Sequence, residues 1–222
     1  MAAPYTQGNS LRNHDIAIMN WLSGLHVDYG TDPDGLSVQQ TNVPILSVFS
    51  TPDRAYAEIV DLLARKRWIT GSTYDEMKAN AAKIEALPLP IVTVVAGEPA
   101  FDPEMVGVPK KFANRTAPGI GPGEPYPGHY RREYTVNFWS RRRSTDNFIR
   151  EWVMSQFGIR GCAFNERLIP VDHGEPHGTW LQSLKHLGGA DQSDLEGEEV
   201  AYKRVEYSFS LRFWLMRANT TL

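Results

Sequence analysis

The chain has one cysteine, Cys162, in 222 residues. No internal disulfide framework is possible, and a small buried thiol beside Gly161, at what reads as a strand start, is the expected role. That usage fits a reducing compartment. No apolar run approaches the ~20 residues that a membrane-spanning helix needs. The opening MAAPYTQGNS is polar and lacks the charged-then-apolar pattern of a secretory leader. An excess of one charge is also missing: 23 basic against 26 acidic side chains leave −3, which argues against a general nucleic-acid-binding surface. What remains is ordinary, with 41% hydrophobic and 22% charged residues, so the chain is expected to fold around its own core as a single domain spanning 1–222.

Hydrophobic periodicity divides the chain. A helix is expected from Leu11 to Leu25, with Ile18, Leu22 and Leu25 on one face and Met19 and Trp21 at its margins. YGTDPDG (29–35) breaks it. A short apolar strand follows at Val43–Phe49, then a helix with Thr51 as cap, Pro52 in the first turn and Ala55, Ile59, Leu62 and Leu63 as its buried stripe. Thr73-x-x-Glu76 reads as a capping box for a third helix carrying Met77, Ala81, Ile84 and Leu87, stopped by Pro88 and Pro90. These elements make a front part of about 11–87. Ile91–Gly97 is nearly continuous and β-branched, the signature of a buried strand.

From 97 to 128 the composition changes to interleaved proline and glycine, among them Pro99, Pro103, Pro109, Pro118, Gly119, Gly121, Pro122 and Gly123. Proline removes amide donors and apolar anchors are sparse, so an extended loop or arm is expected over 97–128. Beyond it, Tyr134, Val136 and Phe138 alternate with Glu133, Thr135, Asn137 and Trp139, as a strand requires. The arginine triplet Arg141, Arg142 and Arg143 separates that strand from a helix capped by Thr145, with Phe148, Ile149, Trp152, Val153 and Phe157 as its apolar stripe and Gly158 as its stop. A shorter strand is expected over Cys162–Val171, and a second long loop over 172–200. The last strand carries the strongest alternation in the chain: Val205, Tyr207, Phe209, Leu211, Phe213 and Leu215 against Arg204, Glu206, Ser208, Ser210, Arg212, Trp214 and Met216. The expected fold class is therefore α+β, a mixed and mostly antiparallel sheet flanked by helices, with two long Gly/Pro-rich loops or arms.

Signatures of chemistry are missing. PGIGPGEPYPG (118–128) lacks the Lys-Ser/Thr of a phosphate-binding loop, and its prolines remove the donors such a cradle uses. His173 and His177, with Asp172, stand four residues apart, but Gly174, Pro176 and Gly178 exclude the helix that would align them, and no second ligand pair is present. The acids Asp191, Asp194, Glu196, Glu198 and Glu199 form a solvated or docking tract in preference to a hydrolytic pair. No nucleophile elbow is present. No cofactor, metal or catalytic residue is expected. Arg131 and Arg132, with Arg141, Arg142 and Arg143, make a basic cluster, read as a charged strand end or a bridge to a neighbouring subunit in preference to a phosphate-backbone contact.

The strand Y-x-V-x-F-W, the polar corner, the helix xxFIxxWVxxxF and the arginine-flanked aromatic strand near the end resemble bacteriophage tail-terminator and neck proteins. The resemblance is clearest over Tyr130–Phe157 and Lys203–Arg217, less than a quarter of the chain, and the front helices and proline-rich arm depart from the compact members. It implies a non-enzymatic virion protein, assembled in the host cytoplasm, that forms a ring, usually a hexamer, on the last layer of the tail tube and joins it to the head connector. Its partners would be copies of itself, tail tube and sheath proteins, and the connector or other neck proteins, with no membrane. DNA would pass through the ring without sequence-specific binding. The two charge clusters, Arg131, Arg132 and Arg141–Arg143 against Asp191, Asp194, Glu196, Glu198 and Glu199, would supply the complementary subunit faces. Three readings stay open beside a terminator: a collar, a baseplate module, and an enzyme with a metal in the long loops.

Overall fold

A computed structural model describes residues 9–27, 41–48, 52–65, 71–81, 90–102, 128–140, 143–157, 165–173, 178–191 and 203–215. Along these the chain forms α1 (Asn9–Leu22), β1 (His26–Val27), β2 (Thr41–Asn42), β3 (Ile45–Val48), α2 (Pro52–Arg65), α3 (Tyr74–Ala81) and β4 (Ile91–Ala96). It continues with β5 (Ala100–Phe101), β6 (Gly128–Ser140), α4 (Arg143–Gln156), β7 (Glu166–Asp172), β8 (Thr179–Asp191) and β9 (Lys203–Leu215). The fold is α+β. Seven strands share one sheet in the order β3-β4-β6-β9-β8-β7, with β5 pairing β6 beside β4. Only β3 and β4 run parallel; every other pairing in this sheet is antiparallel. β1 and β2 form a separate small ribbon.

The strongest alternations became the centre of the sheet. β6 and β9 pair along their whole lengths, from Gly128 opposite Leu215 to Ser140 opposite Lys203. Because side chains alternate across a strand, this register puts Tyr134, Val136 and Phe138 on the same face as Val205, Tyr207, Phe209 and Leu211, and all seven are buried. We call this the inner face. α1 and α4 cover it with Ile18, Leu22, Ile149 and Val153, joined by Phe157 just past α4, and Trp21 of α1 stacks on Trp152 of α4 at 5.6 Å between centroids. Phe209, fully buried, meets the rings of Trp21, Phe157 and His186 at 5.1–5.5 Å. Each such large apolar side chain contributes about 1.5–3 kcal/mol by leaving water.

The opposite, outer face carries a second buried apolar layer at one end. There α2 lays Ile59, Val60 and Leu63 against Leu46, Val48 and Ile91, with Trp139 at the margin. Two-sided burial explains the near-continuous apolar run of β4, in which Ile91 and Val95 serve one core and Val92 and Val94 the other. Trp139 donates its indole N–H to Thr93 Oγ1 at 3.0 Å, which satisfies a polar group carried into that layer.

Pro52 stands in the first turn of α2, as its missing amide donor favours. The start of α3 differs in one detail from a capping box. Thr73 Oγ1 accepts the Glu76 N–H at 3.2 Å, but the Glu76 carboxylate turns back to Ser72, accepting its N–H at 2.9 Å and its hydroxyl at 2.5 Å. Those bonds, the Ser72 hydroxyl first, hold the Glu76 carboxyl below its ordinary range.

Two expectations are corrected. Residues 172–200 are not a loop throughout, because Thr179–Asp191 forms β8, a central strand between β7 and β9. Gln182 and Leu184 are buried along it, while a bulge between His186 and Gly188 leaves Leu187 half exposed. Ala100–Phe101, within the expected arm, forms β5 on β6. The rest of that arm, 103–127, and residues 192–200 lie outside the described residues, as do Thr51, Ile84, Leu87, Gly158 and Cys162.

Candidate subunit interface

The charged residues singled out in the sequence divide between the two ends of the long strands. Arg131 and Arg132 stand near the start of β6. Arg143 opens α4, and Asp191 closes β8 opposite Val205, at the other end. Val205 lies opposite Phe138, so seven residues of β6 separate the Arg131 row from the Asp191 row. At about 3.3 Å per residue this is roughly 23 Å. Arg141, Arg142, Asp194, Glu196, Glu198 and Glu199 lie outside the described residues.

Arg131 and Arg132 do different things because they point to opposite faces. Arg132 is on the inner face, where Nη1 donates to Asp15 Oδ1 of α1 at 2.7 Å and Nε donates to the Gly97 carbonyl at 2.6 Å. Tyr134 donates its hydroxyl to the same Asp15 oxygen at 2.9 Å, and the Arg132 guanidinium lies 5.6 Å from the Tyr134 ring centre. Burial, reinforced by the Asp15 charge, pushes the Tyr134 phenol well above its ordinary value, so it stays a donor. Arg132 is thus engaged within the chain. Arg131 is exposed on the outer face.

Arg131 stands directly opposite Arg212 of β9, a like-charge pair that is unfavourable unless screened. Asp102, just past β5, supplies the screening charge. It is fully buried, and its Oδ2 is 3.2 Å from Arg212 Nε. Its backbone N–H donates to the His129 carbonyl at 3.1 Å, which fixes the turn that brings it there. Burial depresses the His129 pKa, and Asp102 opposes that shift. Nothing local marks Asp102: the dipeptide Asp102-Pro103 in a proline-rich stretch gives no sign that its carboxylate meets an arginine 110 residues later.

At the other end, Arg150 of α4 bridges Asp146, at 3.0 Å, to Asp191, at 3.1 Å. Asp146 is nearly buried, whereas Asp191 keeps 46% of its side chain exposed. The ion pair therefore fastens the end of β8 to α4.

His173 packs against Trp180 and His14, with ring centroids 5.7 and 5.3 Å apart, at the end of β7. His177 lies outside the described residues, and among these residues no three His, Cys, Asp or Glu side chains converge on a point that could hold a metal. No described helix is long and apolar enough to cross a membrane.

The class defined by this geometry is an α+β protein on a mixed seven-stranded sheet, with charged groups at both ends of its long strands. Its sequence matches no protein family and no curated protein.

Proposed function

We propose that the chain is a structural virion protein of a tailed bacteriophage, a subunit of a hexameric ring at the tail–neck junction. The ring would terminate the tail tube and join it to the head connector, and DNA would pass through it without sequence-specific binding. The observation that carries this reading is the way the two segments of resemblance come together. Tyr130–Phe157 supplies β6 and α4, and Lys203–Arg217 supplies β9. β6 and β9 pair along their whole lengths, and α4 packs over both. Two stretches far apart in sequence thus make one unit.

Charge placement supports the same reading. A ring closes through heterologous contacts, in which one patch of a subunit meets a different patch of the next. Exposed Arg131 and half-exposed Asp191, at opposite ends of the long strands, have the sign and separation for such a contact.

Sedimentation of the purified protein, with electron microscopy of labelled particles, tests the proposal. A six-fold ring and a label at the head-proximal end of the tail are expected. A monomer that adds to no tail tube would overturn it, a label at the distal end would make the chain a baseplate module, and stoichiometric metal in the purified protein would favour the loop-sited enzyme.

A further inference from the structure

β7 is the last strand of the sheet, and among the described residues no strand pairs with its other edge. Two bonds fix which of its backbone groups face that edge. The His173 N–H donates to the Gly178 carbonyl, and the His186 N–H to the Asn165 carbonyl, each at 2.9 Å. Residues that bond to an antiparallel neighbour alternate with residues whose N–H and C=O point away. Asn165, Arg167, Ile169, Val171 and His173 therefore bond toward β8, while Glu166, Leu168, Pro170 and Asp172 turn their backbone groups to the edge away from β8.

Without its proline, this strand would invite pairing. Arg167-Leu168-Ile169-x-Val171 is a short β-favouring run, and the side chains beside the edge are apolar: Leu168 is 48% exposed and Leu181, directly opposite Pro170, is 64% exposed. We infer that Pro170 is a gatekeeper that stops a second copy of this chain from adding its own β7 to this edge.

The inference follows from the possible registers. In antiparallel pairing of β7 with β7, outward residues must meet outward residues. Every such register with three or more facing pairs then uses position 170 of both copies, and each copy lacks a donor there. The longest register, with Leu168 opposite Pro170, also sets Glu166 of one copy against Asp172 of the other at both ends, where like charges repel to the extent that Lys185, opposite Glu166 within the chain, does not screen them. Proline removes the hydrogen bonds and the acids oppose the register that remains longest.

The inference is independent of the ring reading, since it concerns only the pairing of β7 with a second β7. The test is hydrogen exchange of residues 166–172, with sedimentation velocity over a range of concentrations. Pro170→Ala restores the missing donor without adding apolar surface, and Glu166→Gln with Pro170→Ala also removes the end-to-end repulsion while keeping an acceptor for the Ser183 hydroxyl and setting no like charge against Lys185. Amide protection should rise with protein concentration in the order wild type, single variant, double variant, reaching about tenfold over wild type in the double variant. Pro170→Thr, with a stronger β preference, is the further variant should alanine loosen β7. Edge amides that exchange as freely in all three variants as in the wild type, with unchanged sedimentation, would overturn the inference.

Discussion

Asp15 Oδ1 lies 2.7 Å from Arg132 Nη1, an ion pair between α1 and β6 that joins residues 117 positions apart in the chain. The same oxygen accepts the Tyr134 hydroxyl, so one carboxylate holds two groups of the inner face. Arg132 keeps 14% of its side chain exposed and Asp15 37%, which places the pair between a surface bridge and a buried one.

Removing the acid should therefore cost more than a surface pair and less than a fully buried one. Asp15→Ala leaves a largely covered guanidinium and a buried phenol without their shared acceptor. The expected loss is about 1.5–3 kcal/mol, the range for hydrogen bonds to charged groups. Urea denaturation measures it. A double-mutant cycle with Arg132→Ala should return a coupling of at least about 1 kcal/mol; additivity would mean that the two side chains act independently.

Neighbouring positions of β9 offer a sharper contrast. Phe209 is fully buried among Trp21, Phe157 and His186, while Ser208, next along the strand, faces the outer side. Phe209→Ala should cost about 3–5 kcal/mol through lost burial and a cavity. Ser208→Ala should stay within about 0.5 kcal/mol. Equal effects in thermal denaturation would contradict the assignment of faces.

That assignment was readable in advance because β6 and β9 alternate without interruption and both registers keep the alternation. The helices were readable for the same reason at period 3.6. β8 was not, because Gln182 and His186 occupy inward positions and break the apolar pattern, and Gly188-Gly189 looks like a loop. The second glycine has a packing reason: a Cβ on Gly189 would come within 2.6 Å of the Tyr207 ring. Arg131 and Arg132 form one cluster along the sequence, although strand periodicity sends them to opposite faces. The partners Asp15 and Asp102 are long-range acquisitions of the fold, and no local pattern announces them.

His186 makes stability depend on pH. Its ring lies 5.5 Å from those of Phe157 and Phe209 and 5.7 Å from that of Tyr207, and its Nε2 is buried without a hydrogen-bond partner. Burial lowers its pKa from 6.5, and a bond with the Gly188 backbone only partly opposes that. The unfolded chain then takes up the proton first as pH falls. The contribution of the neutral ring is full above the unfolded pKa and is lost progressively below about 6.5, until the folded pKa is reached. Denaturant midpoints of the wild type should fall between pH 7.5 and pH 5, and those of His186→Gln should fall less. Parallel slopes in the two proteins would assign the effect elsewhere, with His129, whose pKa is also lowered by burial, the next group to replace.

The separation of Arg131 from Arg132 divides assembly from folding. Arg131→Glu replaces a like-charge pair with Arg212 by an opposite-charge one at an exposed site, so the isolated fold should be kept, changing by no more than about 1 kcal/mol. If this end of the strands meets the next subunit, the same change should slow or abolish ring formation, most strongly at low salt. Arg132→Glu should do the reverse, setting two carboxylates together on the inner face and destabilising the fold before assembly is tested. Joint reversal of Arg141, Arg142 and Arg143 is expected to behave like Arg131→Glu, with the fold kept and the ring lost. Circular dichroism with sedimentation velocity separates the two effects. Rings of normal size from both the Arg131 variant and the triple variant would remove the charged strand ends from the interface and leave assembly to the other surfaces of the sheet.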